Sequence, residues 1–175
     1  PSVIANLEGA FRYLRDYPYT CWEQVLTRGV MASQYQTLKA YLPADFEWAD
    51  SKSVIEDMLA KAAAFQAPNG GMGYFVSADR YASPYLSAYT ALAFNWLRQS
   101  GASIPTAVEE KLHGYLKRLL RRNVLPDFYT RLHPAGKLDT MGLLMTMAAM
   151  ALAQLCFETL FEHGRDAKRD VEQNV

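Results

Sequence analysis

The chain has 175 residues, half of them apolar, and 18 Lys plus Arg balanced by 18 Asp plus Glu. That is material for one domain with a sizeable core, and it excludes a disordered chain. The even charge gives no basis for nucleic acid or an anionic membrane as partner. Two cysteines, Cys21 and Cys156, make no disulfide framework, and His113, His133 and His163 have no ligand spacing, so neither a metal nor a cofactor is expected.

Val3 to Leu14 places Ile4, Leu7, Phe11 and Leu14 at helical intervals, which predicts an amphipathic first helix. Pro18 ends it and biases Tyr17 away from helical dihedrals. A second helix then runs from Cys21 to Tyr41, with Thr20 as its expected N-cap. Along it Trp22, Val25, Leu26, Val30, Met31, Tyr35 and Leu38 recur at threes and fours, and Pro43 closes the segment. The run Ser53-Val54-Ile55-Glu56 fits a capping box for a third helix that reaches about Gln66, with Asp50 and Ser51 as alternative caps.

Pro68 to Gly73 holds three glycines, so its backbone either turns through positive φ or approaches something closely, unless it is a plain connector. Ser83 and Pro84 read as N-cap and first helical residue of a fourth helix, Tyr85 to Leu97, which is apolar nearly all round and so buried, and which stops before Gly101. A fifth, amphipathic helix starts at Pro105 or Thr106 and carries Val108, Leu112, Tyr115, Leu116, Leu119 and Leu120 inward. Its basic end, Lys117 to Arg122, suits the helix dipole and needs no ligand. Residues 123–137 are irregular, and Asp139 or Thr140 caps a sixth helix to about His163. Its apolar run, Met141 to Leu155, is short for a membrane span and reads as core. The charged tail, residues 164–175, is expected to fray, leaving 1–163 as the domain. Starting at Pro1 with neither an initiator Met nor a signal sequence, the chain reads as a piece of something larger.

The chemistry concentrates in Cys21-Trp22-Glu23-Gln24. A helix beginning there puts Cys21 and Gln24 three residues apart on one face, where sulfur and carboxamide meet. A thiol beside that carbonyl can add to it and expel ammonia, leaving an internal thioester. The helix N-terminus stabilises the negative charge that develops, and Tyr17, Tyr19 and Trp22 are the expected water shield. The competing reading is a buried thiol on an ordinary helix; a chance Cys-x-Glu-Gln in a chain of this size has a probability on the order of 1%.

The run YPYTCWEQ resembles the thioester segment of the bacterial alpha-2-macroglobulins, in which YPY-x-C-x-EQ leads into a helix. A second block, Asn69-Gly70-Gly71-Met72-Gly73-Tyr74-Phe75 followed by Ser83-Pro84-Tyr85-Leu86-Ser87-Ala88-Tyr89, is similar to that family's DGGFGYW and SPWLTAY runs. Trp22 fills a variable position, and Asn69 stands where Asp is commoner. The likeness extends over roughly residues 5 to 155.

The resemblance implies an all-α fold, with predicted helices pairing as hairpins of an alpha/alpha toroid, about half of the ring, and an ordered glycine loop. It implies a periplasmic, broad-spectrum protease inhibitor, anchored to the inner membrane as a lipoprotein. In it Cys21 and Gln24 form a thioester, supported by Glu23, Tyr17, Tyr19 and Trp22, that captures lysine amines of the attacking protease. That is a single-use acyl donor and not an enzyme. The implied partners are target proteases and further domains of the parent protein, and the open half ring predicts self-association. Complement-type relatives use a later histidine, but His133 is read as an exposed loop residue. The alternative is a helical scaffold module whose Cys21 never forms a thioester.

Overall fold

The first helix, α1 (Leu7–Arg15), is an amphipathic piece whose Glu8 and Arg12 pair one turn apart. The computed structural model describes residues 7–76 and 82–122. The expected start of α1 at Val3 and the sixth helix, with His133, Cys156 and the tail, lie outside the described residues. Those described form an all-α fold: α2 (Trp22–Leu38), α3 (Ser51–Lys61), α4 (Pro84–Gln99) and α5 (Thr106–Arg122) follow α1, with 3-10 turns at Lys39–Tyr41 and Ala62–Phe65. Only isolated bridges, Gln66 with Met72 and Met72 with Ser83, pair backbone in sheet fashion among them.

α2 is the common wall: α1, α3 and α4 all pack on it, and α5 packs on α4. The α2–α3 hairpin is antiparallel, as three facing pairs show. Trp22 stacks on Phe65, Met58 fills the space over Gly29, and Gln36 hydrogen-bonds Ser51, so each step up one helix is a step down the other. The main core joins Trp22, Leu26 and Val30 to Met58, Phe65, Leu86, Phe94, Leu112 and Leu116. A smaller cluster sits on the other side of α2, where Phe11, Tyr35, Phe46 and Trp48 meet. There Phe11 and Phe46 stack at 6.2 Å, and Arg12 and Arg15 lie over the outer face of Phe46.

Two expected caps move. Residue 21, not Thr20, is the N-cap of α2, with φ −66° and ψ 154°, and its side chain makes no capping bond. The first orphan N–H of the helix, that of Trp22, instead finds its partner outside the helix and donates to the Tyr74 carbonyl at 2.7 Å. Likewise Ser53 is not a capping-box residue; of the alternatives, Asp50 takes the N-cap position, without a side-chain capping bond. α3 has already begun at Ser51, which is fully buried against Gln36, and Ser53 Oγ donates to the Asp50 carbonyl at 2.9 Å. The expected ends at Tyr41 and Gln66 hold only as tightened 3-10 turns.

α4 begins as its sequence predicts: Ser83 Oγ accepts from Leu86 N at 3.2 Å and Pro84 is the first helical residue. It ends in a Schellman turn, with Ala102 N bonded to Leu97 O and Gly101 N to Arg98 O at 2.9 Å each, and Gly101 at φ +88°. An ion pair from Arg98 to Glu109 ties that end of α4 to the start of α5. The glycine loop is pinned from three sides. Gln66 Nε2 donates to Gly70 O and Val108 O, Gly71 N donates to Asn69 Oδ1 at 3.0 Å, and Arg118 reaches Asn69 O at 2.5 Å. Gly70, at φ +90°, lies so close to α5 that a Cβ there would stand 2.4 Å from the Lys111 carbonyl oxygen.

Candidate functional site

Pro18 breaks the chain between α1 and α2, and residues 16–20 cross from one helix to the next over the start of α2. Cys21 makes no capping bond; its Sγ meets the Gln24 side-chain carbonyl oxygen directly instead. Both side chains are half-buried. The pair thus sits at the positive end of a 17-residue helix, where negative charge on an oxygen or sulfur is stabilised.

Phenols surround the pair. Tyr17 sits beside the Gln24 side chain and Tyr13, its ring 5.0 Å from that of Tyr13 and 5.1 Å from that of Tyr19. The Tyr13 hydroxyl and then desolvation hold its own hydroxyl above the ordinary phenol range, with Gln24 acting the other way. Burial similarly raises Tyr74, with Ser83 acting the other way, and Tyr85; the nearby carboxylate of Glu23 adds to both. Each phenol therefore stays protonated and neutral at physiological pH.

Glu23 is drawn into this group from the same turn. Trp22 is not. Its ring is fully buried, stacked 5.2 Å from Phe65, with Nε1–H donated to Thr90 Oγ1 at 2.8 Å. Adjacent helical residues point about 100° apart, so a face that carries Cys21 and Gln24 sends Trp22 into the core. Tyr19, 65% exposed, leaves its ring in solvent beside Tyr17 rather than closed over the sulfur. Tyr74 and Tyr85 are the contributors that sequence reasoning missed as site residues. Their signal was present, since both belong to the second motif block. What helical spacing could not supply is the fold of the loop that brings Tyr74 to the first turn of α2.

No group of three or more His, Cys, Asp and Glu side chains among the described residues could hold a metal ion. None of the described helices is long and apolar enough to cross a membrane.

A solved structure has a similar fold: that of native alpha-2-macroglobulin from Escherichia coli, spanning domain MG7 to the C-terminus. It superposes with a TM-score of 0.61 at 21% identity over 89% of this chain and 23% of that one. The fold is one found in a bacterial alpha-2-macroglobulin. The chain spans less than a quarter of that relative's length. A family model described as a Na+/H+ antiporter subunit, PhaG_MnhG_YufB, matches residues 120–161, well under half of the chain and almost wholly outside the described residues. It falls on the segment with the longest apolar run, Met141 to Leu155. No curated protein matches the chain.

Proposed function

We propose that this chain is part of the thioester domain of a bacterial alpha-2-macroglobulin-like protease inhibitor and contributes hairpins to an alpha/alpha toroid. The observation that carries the reading is the direct contact, at the start of α2, of Cys21 Sγ with the Gln24 side-chain carbonyl oxygen, one bond away from the carbon that the sulfur would attack. The sulfur adds to the Gln24 Cδ, the tetrahedral intermediate collapses, and ammonia leaves with the thiol proton, so that a C–N bond is exchanged for a C–S bond. A lysine amine of a protease then attacks the same carbon. The C–S bond breaks, the thiol recovers a proton from the amine, and an amide joins the two proteins. Turnover is absent because the acyl donor is consumed.

The same reading places the protein in the periplasm, with a lipoprotein anchor on the parent, target proteases as covalent partners and further domains of the parent around it. Supporting it are the two sequence blocks meeting at Trp22, the half-buried pair, and the shared fold. The antiporter match supports no chemistry at Cys21, which is outside the matched residues 120–161.

Intact mass spectrometry of the full-length protein tests the proposal. The expected mass is one ammonia less than the sequence, with no reactive thiol at Cys21. Methylamine should add at Gln24 and free that thiol, since a thiolate leaves far more readily than an amide nitrogen. Cys21→Ala should abolish the uptake. An unmodified mass with no amine uptake leaves a scaffold module in its place.

A further inference from the structure

α4 presents hydroxyls in register toward the site. Thr90 Oγ1–H donates to the Leu86 carbonyl at 2.7 Å, which fixes the hydroxyl proton and leaves the oxygen lone pairs facing α2, where one accepts Trp22 Nε1–H at 2.8 Å. One turn earlier, Ser87 Oγ–H donates to the Ser83 carbonyl at 2.7 Å, and its oxygen accepts Met72 N–H at 2.8 Å. Both hydroxyl residues are fully buried. Back-bonding of this kind brings a helix little stability of its own, so the orientation of the acceptor is its consequence here. Ser87 holds the segment 72–74, and the carbonyl of Tyr74 in turn takes the Trp22 backbone N–H at 2.7 Å.

Two independent lines from α4 therefore end on residue 22, one through its indole and one through its amide, immediately beside the reacting sulfur. The stacked Phe65 ring closes the third side. We infer that Thr90 and Ser87 are positioning residues for the thioester chemistry of Cys21, acting through Trp22 and Tyr74. This inference rests on the proposed thioester and deepens it. A three-residue contact at a helix end frays easily, because the first turn has few hydrogen bonds of its own. Anchoring residue 22 by backbone and side chain holds the N-cap sulfur over the Gln24 carbonyl. Misplacement by about 1 Å costs such an intramolecular reaction on the order of 100-fold.

The test uses the full-length protein and two readouts, methylamine uptake at Gln24 and thermal stability. Thr90→Val keeps volume but removes the acceptor and is expected to lower the amine-reactive fraction by about 10-fold or more, while Thr90→Ser retains it. Thr90→Val also strands a buried N–H, so stability falls with it. The double variant Trp22→Phe with Thr90→Val removes donor and acceptor together. With the indole N–H gone, loss of the Thr90 hydroxyl should cost little further stability beyond that of Trp22→Phe alone, while the thioester does not return, an outcome that a merely structural role does not give. Should Thr90→Val fail to accumulate, the double variant and Trp22→Phe alone decide in the same way. Wild-type uptake in Thr90→Val, or thioester recovered in the double variant, overturns the positioning role and leaves the trap intact. Absence of uptake in the wild type overturns the trap itself, and the positioning role with it.

Discussion

At the scale of single residues, the four positions 21–24 divide between two environments. Cys21 and Gln24 share a half-buried face, Glu23 faces phenols, and Trp22 enters the core. A water shield at the surface and a core anchor predict different costs for the loss of Trp22. As an anchor, Trp22→Ala is expected to destabilise the fold by about 3–5 kcal/mol, whereas an exposed side chain costs within about 0.5 kcal/mol. Denaturant unfolding of the two proteins measures the difference; a change of a few tenths would return Trp22 to the surface. The meeting of Cys21 with Gln24 was legible in the sequence, because a three-residue step at a helix start brings an N-cap side chain to that of the third helical residue. The destination of the Trp22 ring was not, because its partner Thr90 lies 68 residues away and no local rule links them.

At the scale of elements, the helix centres follow from apolar periodicity and the ends do not. α2 has no side-chain cap, and its first N–H is met by the Tyr74 carbonyl from another segment of chain, placed by a loop of glycines. The loop's role makes Gly70 a sharp probe. An alanine there pays about 1–2 kcal/mol for positive φ. It also meets the Lys111 backbone, which cannot rotate away as a side chain could. Gly70→Ala is therefore expected to cost about 2–5 kcal/mol in total, and to lower amine uptake as the loop lifts from α5. Gly101 is the control: its φ is +88° but nothing lies within 4 Å, so Gly101→Ala carries the strain alone, about 1–2 kcal/mol, with uptake unchanged. Equal losses at the two glycines, measured by thermal unfolding, would show that the approach to α5 is unimportant. That the loop turns through positive φ was readable from its glycines; which glycine does so, and against what, required the position of α5.

At the scale of the whole molecule, large apolar side chains flank the site without cover among the described residues. Tyr13 and Tyr19 stand on one side of Cys21, and beyond Tyr74 on the other follow Phe75, 72% exposed, and Val76. Scattered exposed aromatics are ordinary, but these belong to the two segments that meet at the start of α2. The charge does nothing to keep copies apart, since 18 basic and 18 acidic side chains cancel. The chain also spans only a small part of the relative whose fold it shares, and in a larger protein other segments are available to pack on such surfaces. The isolated chain is therefore expected to self-associate as its concentration rises, which light scattering over a dilution series measures. Replacing Phe75 and Tyr19 together by Ser should shift the association to higher concentration without lowering the unfolding temperature by more than a degree or two, because neither ring is part of either core. A strictly monomeric chain at high concentration, or a double variant that associates as readily as the parent, would place the contact surface elsewhere and remove the argument that these rings await a partner.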